Sequence, residues 1–218
     1  SKAPGIDDLV EEVSEAQEAE VNRAMTTYDQ RPQFDPDDVF VPNLRLAQGL
    51  TPEVQGGEAR PGQWLITGSE PVSEVTFVPM GFAKMRQYRD PNARASVLCQ
   101  SRDSVIGEGQ PGGICADCPL SKWGNDKKAP ACTFMYGYIG YSTTHQSLAT
   151  LRFQKAALRA GKIMNTAVAR AGLGNVVVIL KSEKKDGPQG PYHVPSVVPT
   201  AADPAILAEA KKRLDLGY

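Results

Sequence analysis

Thr133-Phe-Met-Tyr-Gly-Tyr-Ile-Gly-Tyr141 alternates rings with other residues, the period-two signature of a strand. Phe134, Tyr136 and Tyr138 share one parity and Gly137 clears bulk from the other, so the strand presents either core rings or a ladder open to a ligand. Tyrosine suits both settings, because its ring buries well and its hydroxyl tolerates water. Upstream, 82–88 alternates in the same way, with Phe82, Lys84, Arg86 and Tyr88 on one parity and Ala83, Met85 and Gln87 on the other. Similar short segments recur from Leu44 onward, separated by Gly and Pro: 44–46, 63–67, 74–78, 83–89, 131–141, 149–153, 175–181 and 192–198. One clear helix is expected over 153–171, stopped by Gly172 and Gly174, and a short final one over 205–214 behind Pro204. The pattern predicts a mainly β chain with flanking helices (α+β), most economically an OB-like small β-barrel with a zinc-stapled insertion.

The insertion is read from the four cysteines, Cys99, Cys115, Cys118 and Cys132, which fall in one stretch spaced C-x15-C-x2-C-x13-C. Cys115-Ala-Asp-Cys118 followed by Pro119 has the form of a knuckle whose two thiolates reach one metal, and zinc is satisfied by four thiolates in a tetrahedron. Four cysteines also allow two disulfides in any of three pairings, but the polar, acidic N-terminal stretch lacks the pattern of a secretory signal. A redox C-x-x-C would leave two cysteines unexplained, and a catalytic zinc would recruit His or a carboxylate, whereas His145 and His193 both lie outside the cluster. A closed structural zinc is therefore expected, with no catalytic residue. Gly107-Glu-Gly-Gln-Pro-Gly112 matches a nucleotide-binding pattern only formally, since Pro111 interrupts it, and a Walker A motif is absent.

Among 218 residues the net charge of −1 conceals a division at Asp38. Residues 1–38 hold eleven acids against Lys2, Arg23 and Arg31, net −8, while residues 39–218 carry net +7. Residues 6–28 have the spacing of a marginally amphipathic helix, and 31–43, with three prolines, read as a linker. The expected organisation is thus an acidic arm and linker over 1–38, then an OB-like domain over 39–218 carrying the zinc insertion at about 97–132. An acidic segment tethered to a basic body can compete with a polyanion at high effective concentration; alternatively it is a solvated face. No apolar run approaches a membrane span, so a soluble, intracellular protein without a membrane partner is expected.

Nucleic acid is the polyanion that the basic residues fit. Lys84, Arg86, Arg89 and Arg94 would neutralise phosphates beside Tyr88, with Arg102 extending the charge towards Cys99. From Arg152 to Arg170 there are five basic groups and no acid, and Arg152, Lys155, Arg159 and Lys162 are expected on one helical stripe. Lys122 and Trp123 decorate the insertion, and Trp123, Tyr136 and Tyr138 are the further stacking candidates. The competing reading places the rings in the core with Lys and Arg heads snorkelling outward.

Pro42-Asn-Leu-Arg-Leu-Ala-Gln-Gly-Leu-Thr-Pro-Glu53, Gly62-Gln-Trp-Leu-Ile66 and the block Cys115-x-x-Cys-Pro-x-x-x-Trp123 with Lys-Ala-Pro-Ala-Cys132 together resemble a group of tailed-bacteriophage single-stranded DNA-binding proteins. The resemblance spans roughly 42–170, and its most specific part is the cysteine block. It is similar, more distantly, to phage replication proteins in which an OB barrel carries a zinc insertion and an acidic tail regulates access; those keep the acidic segment C-terminal, whereas here it is N-terminal. The resemblance implies a non-enzymatic protein that binds single-stranded DNA without strong sequence preference in phage DNA replication or recombination. It would work in the cytoplasm of an infected host cell, with phage or host replication or transcription proteins as further partners. The alternative is a zinc-containing phage transcription factor or polymerase-binding adaptor, and a metal-dependent nuclease is disfavoured because no compact carboxylate or His cluster is visible.

Overall fold

A computed structural model describes residues 40–93, 96–124, 128–188 and 190–216. The acidic arm over 1–38, its expected helix at 6–28, most of the proline linker, and Arg94 lie outside the described residues. In chain order the elements are β1 (Asn43–Leu46), α1 (Pro52–Gln55), β2 (Trp64–Leu65), β3 (Val75–Arg89), β4 (Val97–Ser101), β5 (Ile106–Gly109) and β6 (Gly113–Ile114). There follow β7 (Thr133–Ser142), β8 (Ser147–Gln154), α2 (Leu158–Ala171), β9 (Val177–Gly187), β10 (Gly190–Thr200) and α3 (Pro204–Leu216). The described chain is mainly β with flanking helices, as the alternation predicts.

The strands form one mixed sheet in the order β2-β1-β8-β7-β3-β4-β5-β6, with β9 joined to β3 and β10 to β9. β3 is the branch point. One edge pairs with β7 from Phe77 to Gln87, while the other is shared between β9 at its start, over Val75–Phe77, and β4 at its end. Where the sequence suggests two strands broken at Pro79-Met-Gly81, the chain runs through as one, because the break is taken up as a register shift between Pro79 and Gly81. Proline lacks a donor for the ladder and is tolerated at such a bulge.

The sheet does not close. β1 lies parallel to β8, and β10 pairs only with β9, so no ladder joins β1 to β10 and the predicted barrel closure is not made by backbone pairing. Side chains span that seam instead. Gln48 Nε2 donates to the His193 carbonyl at 2.9 Å, the His193 amide donates to Gln48 Oε1 at 3.0 Å, and Ser182 Oγ donates to the Gly62 carbonyl at 2.7 Å. Gly62 has φ +88°, and a Cβ there would stand 2.6 Å from the His193 ring, so only glycine allows the close approach.

Two cores flank β3. Val75 and Phe77 join Trp64, Leu151, Phe153 and the inward stripe of α2, Ala160, Met164 and Ala167, at the helical spacing of three to four. Val78 on the opposite face packs with Tyr141, Leu148, Val177 and Ala210 of α3. Each large side chain removed from water contributes about 1.5–3 kcal/mol. α2 begins later than the periodicity suggests. Residues 153 and 154 finish β8, and Lys155–Ala157 form a 3-10 turn, so the helix proper starts at Leu158 and stops at Gly172, whose φ of 86° ends it. Among the described residues no helix is long and apolar enough to cross a membrane.

Candidate functional site

Four thiols separated along the chain line a single small cavity. Cys99 sits on β4 opposite Tyr88, Cys115 follows β6, Cys118 precedes a 3-10 turn at Pro119–Ser121, and Cys132 precedes β7. The Cys115 amide donates to the Val105 carbonyl at 2.8 Å and the Cys132 amide to the Leu120 carbonyl at 2.9 Å. Ser121 Oγ lies 2.8 Å from both the Cys115 and the Cys118 carbonyl oxygens, so one hydroxyl draws the knuckle shut. At Gly107 a Cβ would stand 2.9 Å from Cys99 Sγ; glycine there leaves room for the thiol.

The cavity has space of about 10 Å³, close to one atom-sized occupant, and Arg86 and Tyr88 share its wall. All four cysteines are free thiols. Among the described residues no three His, Cys, Asp or Glu side chains are drawn tightly enough together to count as a ready-made metal cage. Burial pushes the Cys132 thiol above its ordinary value; the Arg86 guanidinium pulls the other way, and the three neighbouring thiols add to the rise.

β3 and β7 bring the two predicted ring-and-cation sets face to face. Phe82 lies opposite Tyr138, Lys84 opposite Tyr136 and Arg86 opposite Phe134. The ring centroids of Phe82 and Tyr138 are 5.0 Å apart, and those of Phe134 and Tyr136 are 5.1 Å apart. The ladder grades from exposed to buried. Tyr138 is 3% exposed, donates its hydroxyl to Asn165 of α2, and has its pKa raised by burial and by Tyr136, so it is a core ring and not a stacking platform. Tyr136 is half-buried against α2, where a Cβ at Gly161 would stand 2.7 Å from its Cδ2. Phe82 and Lys84 are exposed.

Arg86 is half-buried and already engaged. Its Nε donates to Ser104 Oγ at 2.9 Å, and its Cζ lies 5.3 Å from the Phe134 ring centre, which ties the sheet to the cysteine insertion. Tyr88 is half-buried on the same cavity wall. Lys122 and Trp123 stand on the insertion, Trp123 being 69% exposed.

The predicted basic stripe divides. Arg152 belongs to β8 and Lys155 to the turn after it, while Arg159 and Lys162 are exposed on α2. Arg152 and Lys155 instead meet Arg89 and Arg45 around a groove of about 500 Å³ between β1, β8 and β10. Among the described residues no carboxylate lines it. Lys155 has φ 51°, a left-handed conformation that costs a non-glycine residue roughly 1–2 kcal/mol. Arg89 Nε donates to Gln87 Oε1 at 3.1 Å, and Arg45 is paired with Glu53 just outside the groove wall. Trp64 and His193 also line the groove, and Trp64 Nε1 and His193 Nδ1 are buried without a hydrogen-bond partner. Arg45 is absent from the sequence-based candidates, although its place between Leu44 and Leu46 marks it as facing away from the core.

No family model matches the chain, and neither a curated protein nor a solved structure matches it.

Proposed function

We propose that the protein binds single-stranded DNA without strong sequence preference, holding its phosphates in the groove of Arg45, Arg89, Arg152 and Lys155. The observation that carries this reading is the convergence of Arg89, Arg152 and Lys155, with Arg45 ion-paired to Glu53 beside them, on a groove that no carboxylate lines among the described residues. Such a groove attracts a phosphate chain through charge, which is sequence-independent. Exposed Phe82 and Trp123 supply ring surface elsewhere on the same unit. The role is binding rather than catalysis, in phage-type DNA replication or recombination, and the −8 arm would compete with DNA for the cations.

An OB-like reading of the fold is supported by strand order. β3, β7 and β8 run as a meander, α2 follows, and β9 returns to the free edge of β3 before β10 pairs with it. This is a five-strand Greek-key order with a helix between the third and fourth strands, and the cysteine-bearing excursion falls between the first and second. The Gln48–His193 seam occupies the position of closure.

The donor chemistry of the thiol cavity suits zinc, since four cysteines line it and zinc accepts four thiolates. Cys99, Cys115, Cys118 and Cys132 would hold it, and a closed four-sulfur site supplies structural bracing. The residues around it transmit that bracing: Tyr88 and Arg86 line the cavity from the end of β3, the strand that also carries Arg89.

A second reading, a transcription factor or polymerase-binding adaptor, is favoured by the insertion's surface. Ile106 and Ile114 face each other across β5 and β6 and are 51% and 54% exposed, with Val105 at 56% nearby. Competition between single- and double-stranded oligonucleotides of one sequence at fixed salt separates the readings. Tighter binding of the single strand is expected; failure to bind either would leave the adaptor.

A further inference from the structure

Beside the cationic groove, the turn at Gln48–Thr51 and the hairpin joining β9 to β10 enclose an open depression of about 840 Å³. Its described lining is largely apolar: Leu50, Pro188, Pro191 and Tyr192 with three glycines, Gln48 as the one polar side chain, and no carboxylate among the described residues. Leu50 is 90% exposed and Tyr192 39% exposed. A single exposed leucine needs no explanation, but an exposed leucine, an exposed tyrosine and two prolines around one hollow form a surface that water serves poorly.

The two walls are fixed to each other. Gln48 holds its own turn, since its amide donates to Thr51 Oγ1 at 2.8 Å and its carbonyl accepts from the Thr51 amide at 2.9 Å. The same residue's side chain clasps the His193 backbone, next to Tyr192. The backbone segments that carry Leu50 and Tyr192 are thereby held across the hollow before any ligand arrives. Tyr192 is also settled from below: a Cβ at Gly187 would stand 3.0 Å from its Cε1, so glycine allows the ring to lean on the hairpin. A pre-set ring loses little freedom on binding.

Gln48 lines both the hollow and the cationic groove, so the two are neighbours across one residue. Lys184 and Lys185 stand exposed on the same hairpin, and Lys185 is directly opposite Tyr192, paired with Glu183 at 2.9 Å. An occupant that fills both hollow and groove would combine a polyanionic run with neutral flat apolar groups.

We propose that this hollow is a nucleobase site, in which an unpaired base of a strand lying in the groove stacks on Tyr192 and packs against Leu50. This rests on the single-strand reading of the groove and adds to it the place where bases, as opposed to phosphates, are held. The described walls offer ring and aliphatic surface and, among the described residues, no carboxylate, so the site accepts any base with little discrimination.

The test measures binding of the full chain to a fluorescent oligothymidylate and to an abasic strand of equal length at one salt concentration. Tyr192→Ala and, on the opposite wall, Leu50→Ser should each weaken oligothymidylate binding, Tyr192→Ala by about tenfold, and leave abasic binding unchanged. Tyr192→Phe should restore it. If the wild type binds oligothymidylate and both variants match it, the base site is refuted while the groove stands. If the wild type binds neither strand, the single-strand reading fails and the base site with it. Equal weakening on both strands would also refute stacking.

Discussion

The Gln48 side-chain amide and the His193 backbone exchange two hydrogen bonds, at 2.9 and 3.0 Å, across the one seam where β1 and β10 fail to pair. A side chain there takes the part of a neighbouring strand. Gln48→Ala removes both bonds and leaves the half-buried His193 backbone groups to find water. At about 0.5–1.5 kcal/mol per bond, a loss of about 1–3 kcal/mol is expected in urea unfolding. An unchanged midpoint would show that the seam contributes nothing.

Gly161→Ala sets two effects against each other. Alanine is favoured over glycine inside a helix by about 1 kcal/mol. A Cβ at 161 would stand 2.7 Å from Tyr136 Cδ2 and 2.9 Å from Phe153 Cβ, inside the main core. Overpacking of this kind costs about 1–3 kcal/mol, and neither neighbour is a free chain end, so net destabilisation is expected in thermal melts. A rise in melting temperature would contradict the close packing of α2 on β7 and β8.

Metal analysis of the purified protein should return one zinc per chain, lost on prolonged chelation and in Cys132→Ser. Loss of zinc should raise amide exchange across 97–132 while the β7–β8 ladder remains protected, because the main core lies outside the insertion. Metal-free protein with unchanged exchange would remove zinc from the account.

Stability should depend on pH through His145. Its Nδ1 is 2.8 Å from Ser142 Oγ, its Nε2 is buried without a partner, and burial holds its pKa below the ordinary 6.5. Below the ordinary value the unfolded chain takes up a proton that the folded chain refuses. Stability therefore falls as pH drops from about 6.5 towards the lowered folded value, and this contribution is flat above it. Unfolding at about pH 7.5 and about pH 5.5 should differ less in His145→Gln than in the wild type. An equal difference would place the titration elsewhere.

Much of the sheet is legible in the sequence because period-two alternation survives in it: 131–141 and 192–198 lie almost entirely within β7 and β10. The insertion's strands β4, β5 and β6 are not legible. They are two to five residues long, half of β5 and β6 is glycine, and the turn into β5 is set by the Asp103 carboxylate, which accepts from the Val105 and Ile106 amides. The parity of Phe82, Lys84 and Arg86 with Phe134, Tyr136 and Tyr138 is read correctly, but alternation does not say which face a helix will cover, and α2 covers Tyr138. The basic run at 152–162 is visible as charge. Its division at Leu158 is not, because nothing local in 153–157 forbids a helix, and it is the pairing of Phe153 with Tyr136 that keeps the strand extended.

The salt dependence of oligonucleotide binding tests the groove most directly. For a single strand the slope of log K against log salt is about −0.7 per phosphate neutralised. Simultaneous Arg89→Ala, Arg152→Ala and Lys155→Ala should flatten that slope by about 2. A slope that stays as steep as the wild type's would mean that the phosphates lie somewhere other than between β1, β8 and β10.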